Sequence, residues 1–91
     1  MKYTVEMFGL SPFSEDNAVE LDLPDGASLR QLFTALVLKI PAFTGRVIEP
    51  GTGRLVENYG IYINGQFASE HENVQLKPSD RIVLILLAVG G

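Results

Sequence analysis

The chain has 91 residues, of which 46% are hydrophobic and 20% charged, and 11 acidic residues against 7 basic ones give a formal net charge of -4. This length predicts one domain, and the composition is typical of a globular protein rather than a disordered one. The acidic balance argues against nucleic-acid binding, which normally needs a basic surface, and the lack of cysteine excludes disulfides, thiolate metal sites and cysteine nucleophiles.

Neither the first residues nor the apolar segments predict membrane targeting. The N-terminal residues alternate in character and include Glu6, which does not fit a signal peptide. The longest apolar run, residues 82–89, is far shorter than the roughly 20 residues that cross a bilayer as a helix. We therefore expect a cytoplasmic protein that has neither a membrane nor nucleic acid among its partners.

Alternating residues predict two strands near the N-terminus. In residues 2–8 and again in 18–23, apolar side chains recur at every second position, which is the period of a half-buried strand. Glycine, proline, serine and asparagine in residues 9–17 predict a loop between them. The two strands should form a hairpin, with Val19 and Leu21 among the side chains that point inward.

A single helix is predicted after a Pro-Asp-Gly turn at 24–26. Ser28, followed three residues later by Gln31, fits a capping box, in which each side chain bonds the backbone amide of the other residue. Apolar residues then recur at helical spacing and form one stripe, namely Leu29, Leu32, Phe33, Leu36, Val37 and Ile40. Because Pro41 disfavours a helical conformation at the residue before it, we expect the helix to end near Lys39.

The segment 43–58 is predicted to contain a small exposed hairpin. Short apolar stretches at 46–48 and 54–56 flank a Pro-Gly-Thr-Gly sequence at 50–53. These glycines do not connect a strand to a helix and no lysine follows them, so they predict a turn rather than a phosphate-binding loop.

The remaining residues complete the predicted sheet. Residues 59–63 predict a strand that ends at an Asn-Gly pair, the commonest short hairpin turn. The next residues, 66–79, are mostly polar apart from Val74 and Leu76, which should act as apolar anchors. A Pro-Ser-Asp turn then leads into the final strand from Ile82. These elements predict one sheet covered on one face by one helix.

The final strand is apolar on both faces. Its residues alternate, with one set at 82, 84 and 86 and the other at 83, 85 and 87. Such a run is typical of a strand buried on both faces, yet a single helix covers only one. Either loops such as 43–58 cover the second face, or that face is a docking surface next to the C-terminal tail. The side chains of Phe8 and Tyr62 alternate with the inward-pointing residues of their strands and should therefore point to the outer face, which favours docking.

Four short motifs, taken in order, resemble one protein family. They are Pro-Asp-Gly-x-Ser-Leu-x-x-Leu from Pro24, Ile-Tyr-Ile-Asn-Gly from Ile61, Lys-Pro-Ser-Asp-Arg-Ile from Lys77, and Gly-Gly at 90–91. Together with the predicted hairpin and helix, they resemble the MoaD/ThiS family of ubiquitin-like sulfur-carrier proteins over the whole chain, in the branch of the molybdopterin synthase small subunit. The stretch 49–59 looks like an insertion that is common in that branch.

The resemblance implies a fold. It is an α+β, β-grasp (ubiquitin-like) domain over residues 1–91, with a mixed sheet of four to five strands and one main helix packed on one face. Residues 88–91 would form a flexible C-terminal Gly-Gly tail.

The resemblance also implies a function for the C-terminal carboxylate of Gly91. In the family, an ATP-dependent adenylating (E1-like) enzyme activates this carboxylate, and a sulfur donor converts it to a thiocarboxylate. The thiocarboxylate then gives its sulfur to a biosynthetic enzyme such as a synthase large subunit, most directly for molybdopterin, the molybdenum and tungsten cofactor. The chain would be a carrier or the small, non-catalytic subunit of a synthase rather than an enzyme. It would bind no cofactor or metal, because its partner uses the ATP.

The expected functional residues lie in the tail and on the outward face of the sheet. Gly90 and Gly91 have no Cβ, so they can enter a slot too narrow for any side chain. The residues expected to contact partners are Phe8, Tyr62, Leu87, Ala88 and Val89.

Two other functions fit the same residues. The chain could be a ubiquitin-like modifier conjugated to other proteins through Gly91, or a non-catalytic β-grasp binding module with an inert tail. The resemblance leaves the destination of the sulfur open between molybdopterin, tungsten- or molybdenum-enzyme systems, thiamine and cysteine biosynthesis. Prolines that often precede the final segment in the molybdopterin branch are missing at 86–89.

Overall fold

The computed structural model of the chain describes residues 1–9, 17–51, 54–56, 58–68 and 74–87. Its elements, in chain order, are strands β1 (Lys2–Phe8) and β2 (Ala18–Asp22), helix α1 (Leu29–Lys39), a 3₁₀ helix (Pro41–Phe43), and strands β3 (Tyr59–Ile63), β4 (Gln66–Ala68) and β5 (Ile82–Leu86). None of the helices in these segments is long and apolar enough to cross a membrane.

The five strands form one mixed sheet in the order β2-β1-β5-β3-β4. β1 pairs antiparallel with β2, as the predicted hairpin requires, and parallel with β5. β3 pairs antiparallel with both β5 and β4. The final strand is therefore the middle strand of the sheet, with Ile82 and Leu84 buried in the core and Val83 and Ile85 half-buried on the opposite face. Residues 10–16 of the predicted hairpin loop lie outside the described residues.

Helix α1 begins and ends where its sequence predicts. Ser28 Oγ accepts a hydrogen bond from Gln31 N at 3.1 Å, and Gln31 Oε1 accepts one from Ser28 N at 2.9 Å, so the capping box is complete. The helix ends at Lys39, two residues before Pro41. Of the predicted apolar stripe, four residues are buried and the last two, Val37 and Ile40, are half-buried against the core.

The buried side chains of the helix and of one sheet face form a single hydrophobic cluster. The sheet contributes alternate residues, namely Tyr3, Val5, Met7, Val19, Leu21, Ile61, Ala68, Ile82 and Leu84. Tyr3 is fully buried in this core, and its hydroxyl is 2.8 Å from Pro24 O and 3.0 Å from Leu76 O. Leu76 is fully buried and Val74 is half-buried, which confirms both as apolar anchors of an otherwise polar segment.

The prediction of an exposed hairpin within 43–58 was partly wrong. A short antiparallel contact does exist, since Glu49 N donates to Arg54 O and Val56 N donates to Val47 O, each at 2.8 Å. It amounts to an isolated bridge between Ile48 and Leu55 rather than two strands. Three of its four apolar side chains are buried, because Val47, Ile48 and Leu55 join the core beside the helix, while Val56 is half-buried. Residues 52–53 of the predicted turn lie outside the described residues.

The sequence also did not predict β4 or the 3₁₀ helix. β4 has three residues, of which only Ala68 is buried, so no apolar alternation marks it. The turn that connects it to β3 was predicted correctly. Asn64 and Gly65 have φ angles of 53° and 82°, the left-handed pair that a tight two-residue hairpin needs.

Candidate functional site

The sheet face opposite the helix carries two neighbouring rows of side chains. The register places Glu6, Val83, Tyr62 and Phe67 in one row across β1, β5, β3 and β4. The next row consists of Phe8, Ile85 and Gly60. Leu87 continues the parity of Val83 and Ile85 one step beyond β5.

Most of these side chains are apolar and remain accessible to solvent. Phe8, Phe67 and Leu87 are 48%, 57% and 47% exposed, and the rings of Tyr62 and Phe67 meet edge to face with centroids 5.6 Å apart. We call this group the outer apolar patch, and its members are Phe8, Tyr62, Phe67, Val83, Ile85 and Leu87. Clustered apolar exposure of this kind is typical of an interaction surface.

The alternative that the 43–58 segment covers this face is not what the described residues show. Ile48 and Pro50 line a groove together with Phe33 and Val37 of α1, so this segment lies beside the helix. The 3₁₀ helix at Pro41–Phe43 likewise contacts α1. The described part of 43–58 therefore extends the helix layer and leaves the outer apolar patch open.

Gly60 provides a close contact at the C-terminal end of this patch. A Cβ placed on Gly60 would lie 2.8 Å from Leu87 Cδ1 and 3.1 Å from Phe67 Cε1, so the missing side chain makes room for both. Leu87 N also donates to Asn58 O at 2.8 Å, which holds the backbone one residue beyond β5. Sequence reasoning missed Gly60 and Phe67, although a glycine inside a strand often marks such a close approach.

A charged pair borders the patch next to Val83. Arg81 Nε donates to Glu6 Oε2 at 2.7 Å. This hydrogen bond, assisted by the charge of the guanidinium, lowers the pKa of the Glu6 carboxyl from its ordinary value and raises the pKa of Arg81. The pair therefore presents a polar rim that stays ionised at neutral pH.

Hydrogen bonds between two turns set the start of β5. Asn64 Oδ1 accepts from Arg81 N at 2.9 Å, and Asn64 Nδ2 donates to Asp80 Oδ1 at 3.0 Å. Asp80 Oδ2 in turn accepts from Lys77 N at 2.9 Å. Two of the motifs that carry the family resemblance, the Asn-Gly turn and the Lys-Pro-Ser-Asp-Arg turn, are thus joined to each other, and they fix the strand that leads to the tail.

The predicted site residues divide into two groups. Phe8, Tyr62 and Leu87 lie together on the outer apolar patch, while Ala88, Val89, Gly90 and Gly91 lie outside the described residues. The role of all seven remains a prediction. Within the described segments no group of three His, Cys, Asp or Glu side chains could hold a metal ion, and the single histidine, His71, lies outside them.

Comparison with known proteins identifies the family. A sequence profile of the ThiS family matches residues 10–91. The chain belongs to the ThiS family. The resemblance to the MoaD and ThiS proteins is thereby confirmed, and these are ubiquitin-like sulfur carriers that are small and generally non-catalytic. Family members work with E1-like activating enzymes and synthase subunits. A search of curated protein sequences found no significant match.

Solved structures confirm the β-grasp fold. SAMP1 from Haloferax volcanii is 23% identical, with a TM-score of 0.82 and complete coverage of both chains. A Pyrococcus furiosus protein assigned as molybdopterin converting factor, subunit 1, is 23% identical, with a TM-score of 0.75 over 97% of this chain and 99% of its own. The small archaeal modifier protein 1 of Methanosarcina acetivorans is 22% identical, with a TM-score of 0.74 over 99% of this chain and 96% of its own. At these identities the similarity establishes the fold.

Proposed function

We propose that the protein is a sulfur carrier whose Gly91 carboxylate becomes a thiocarboxylate. An ATP-dependent adenylating enzyme activates the carboxylate, a sulfur donor converts it, and a biosynthetic enzyme such as a synthase large subunit receives the sulfur. Molybdopterin is the first candidate product. Membership of the ThiS family over residues 10–91 supports this proposal, and the fold shared with the Pyrococcus furiosus protein is consistent with it.

The proposed chemistry requires little of the chain itself. A carboxylate is a poor electrophile until one of its oxygens becomes part of a good leaving group. Adenylation supplies that group by joining the carboxylate to AMP with release of pyrophosphate, and the sulfur nucleophile then displaces AMP. The partner holds the ATP, so the carrier contributes the carboxylate and a tail slim enough to enter the partner's site. Gly90 and Gly91 suit that role because neither has a Cβ.

The observation that carries the proposal is that the outer apolar patch extends to Leu87, the residue that directly precedes 88–91. Leu87 belongs to the patch and its amide is held to the sheet, and residues 88–91 lead from it to the proposed Gly91 carboxylate. Four extended residues span at most about 14 Å. A partner that covers Phe8, Tyr62 and Leu87 would therefore have Gly91 within reach of a site close to the edge of its own interface.

Intact mass spectrometry tests the proposal directly. The protein is incubated with a candidate activating enzyme, ATP and a sulfur source. We expect a mass gain that corresponds to the exchange of one oxygen for sulfur, confined to the C-terminal peptide. An unchanged carboxylate with several enzymes that are active on other carriers of this family would contradict the proposal.

The similarity to SAMP1 supports a second candidate function, that of a protein modifier. SAMP1 from Haloferax volcanii matches the fold over the full length of both chains. A modifier would use the same activated Gly91 but pass it to lysine amines of other proteins. Isopeptide-linked products in cells that express the tagged chain would favour this function, and their absence together with a thiocarboxylate would favour the carrier. A β-grasp binding module with an inert tail would give neither product.

A further inference from the structure

Leu87 is held against the sheet by both its backbone and its side chain. Its amide donates to Asn58 O at 2.8 Å, just past the end of β5. Its side chain lies over Gly60, because a Cβ built on Gly60 would be only 2.8 Å from Leu87 Cδ1 and 3.1 Å from Leu87 Cγ. Phe67 Cε1 is 3.1 Å from the same point and forms a side wall. We call this arrangement, with Gly60 as floor and Phe67 as wall, the Leu87 seat.

The backbone at Gly60 does not itself require glycine. Its φ lies outside the left-handed region, unlike that of Gly65 at 82°. It also lies inside β3, where it pairs with Ile85 of β5 and where glycine normally weakens a sheet. What the missing Cβ does provide is space for Leu87 to approach the sheet surface. Because Leu87 remains 47% exposed, this contact buries little area and stabilises the core only slightly. Its main effect is to restrain the chain at Leu87.

We propose that the Leu87 seat fixes the point from which the tail leaves the sheet, and that Gly60 and Leu87 are positioning residues for the activation of Gly91. This inference rests on the proposed carrier function. The last proline of the chain is Pro78, so no proline ring restricts the backbone between Leu87 and Gly91. The contacts at Leu87 therefore fix the start of the tail. A short tail needs such a fixed start if its end is to align with the reacting atoms of a partner.

The size of the expected effect follows from the demands of alignment. A misplacement of about 1 Å between reacting groups can slow a reaction about 100-fold. Since the tail spans at most about 14 Å, a shift at its base is not averaged out over a long linker. Loss of the seat should therefore lower the rate of activation more than it weakens docking, which depends on Phe8 and Tyr62 as well.

Three variants and one control test the inference. Gly60→Ala places a methyl group where Leu87 lies, Leu87→Ala removes the seated side chain, and the double variant combines both changes. The atoms that clash in Gly60→Ala all belong to the exposed side chains of Leu87 and Phe67, so the fold should persist with Leu87 displaced. Gly51→Ala is the matched control, because a Cβ on Gly51 meets nothing within 4 Å and its φ is not left-handed.

The first measurement uses the protein alone. Amide hydrogen exchange followed by NMR should show Leu87 protected in the wild type and in Gly51→Ala. The amide at position 87 should exchange at least about tenfold faster in Gly60→Ala and in Leu87→Ala, because its hydrogen bond to Asn58 O is then no longer held in place. Equal protection of the amide at position 87 in all the variants would show that the Leu87 seat does not restrain the chain, whatever the function of the protein.

The second measurement is the rate of thiocarboxylation with an activating enzyme, ATP and a sulfur donor. Gly60→Ala and Leu87→Ala should each lower kcat about 10- to 100-fold with a much smaller change in KM for the carrier. The double variant should be no slower than the slower single variant, because both changes remove the same contact. If Leu87→Ala raises KM alone and Gly60→Ala has no effect, Leu87 is a partner contact and the positioning role is wrong. A wild-type protein that is never thiocarboxylated contradicts the carrier function instead, and the exchange data still decide whether the seat exists.

Discussion

A few aromatic side chains provide much of the accessible area of the outer apolar patch. Phe8 is 48% exposed and is the register partner of Ile85 on the central strand. Tyr62 and Phe67 form an edge-to-face pair on the neighbouring strands. Aromatic residues near the centre of an interface commonly carry a large part of its binding energy. Because these rings are exposed, their removal should affect a complex more than it affects folding.

Phe8→Ser should weaken binding to the activating enzyme while the domain stays folded. Truncation of a hot-spot side chain near the centre of an interface costs about 2 kcal/mol or more. Since about 1.4 kcal/mol is tenfold in affinity, this corresponds to a loss of affinity of about 30-fold or more. Isothermal titration calorimetry measures the affinity and thermal unfolding checks the fold. Leu38→Ser is the matched control, since Leu38 is 78% exposed but lies on α1, away from the patch. Equal losses of affinity in the two variants would show that the patch is not the interface.

The Glu6–Arg81 pair should make stability depend on pH in a defined direction. Hydrogen bonding to Arg81 lowers the pKa of Glu6 in the folded protein below its ordinary value of 4.5. The folded state therefore holds this proton less tightly than the unfolded state does, so the pair stabilises the protein above the unfolded pKa and loses that effect as pH falls through the folded pKa. The free energies of unfolding of the wild type and of Glu6→Gln should thus differ most near neutral pH and converge in acid.

Urea unfolding between about pH 7 and pH 3 measures that difference. Because both side chains are partly exposed, added salt should reduce it. Lys2 and Glu20 are 3.7 Å apart at the surface, and Glu20→Gln serves as a control with a more distant ion pair. A difference between wild type and Glu6→Gln that grows as the pH falls would contradict the assignment.

Among the elements, helix α1 depends on its N-terminal cap. Ser28→Ala removes the acceptor for Gln31 N and should lower the free energy of unfolding by about 1 kcal/mol. Denaturant unfolding checks this value. Ser79→Ala, in the exposed turn before β5, is the control and should change stability by less than about 0.5 kcal/mol. An unchanged stability in Ser28→Ala would mean that tertiary packing alone fixes the start of the helix.

The elements that the sequence predicted are those in which a regular pattern coincides with burial. β1, β2 and α1 each place apolar residues on one face, and β5 is apolar on both, with Ile82 and Leu84 in the core and Val83 and Ile85 in the outer apolar patch. β4 was missed because three residues with one buried side chain carry no period. In 43–58, Val47 and Ile48 are adjacent and both buried. Their burial comes from contacts with distant parts of the chain, which local alternation does not record.

For the whole molecule, parity predicted part of the candidate site and tertiary structure supplied the rest. Phe8 and Tyr62 were found because alternate residues of a strand point to opposite faces. Phe67 and Gly60 could be assigned to the site only from the structure, in which β4 pairs with β3 and Leu87 lies over Gly60. The acceptor of the proposed sulfur transfer does not follow from either, because the ATP site and the acceptor chemistry would belong to partner proteins.

The folded domain and the C-terminal residues 88–91 should have separate roles, which leads to a prediction for the whole molecule. Deletion of residues 90–91 should abolish thiocarboxylation and leave the thermal unfolding midpoint unchanged, because the core side chains in the described segments lie between Tyr3 and Leu84. Gly90→Ala keeps a terminal carboxylate, and it should slow activation without a change in stability if the partner's slot admits only glycine. Intact mass spectrometry and thermal unfolding give the two readouts. If the shortened chain binds its partners and restores growth of a deletion strain as well as the full chain does, the protein is a binding module and the carboxylate has no role. If it binds but does not restore growth, the folded domain provides the binding surface and the C-terminal residues provide the reacting carboxylate.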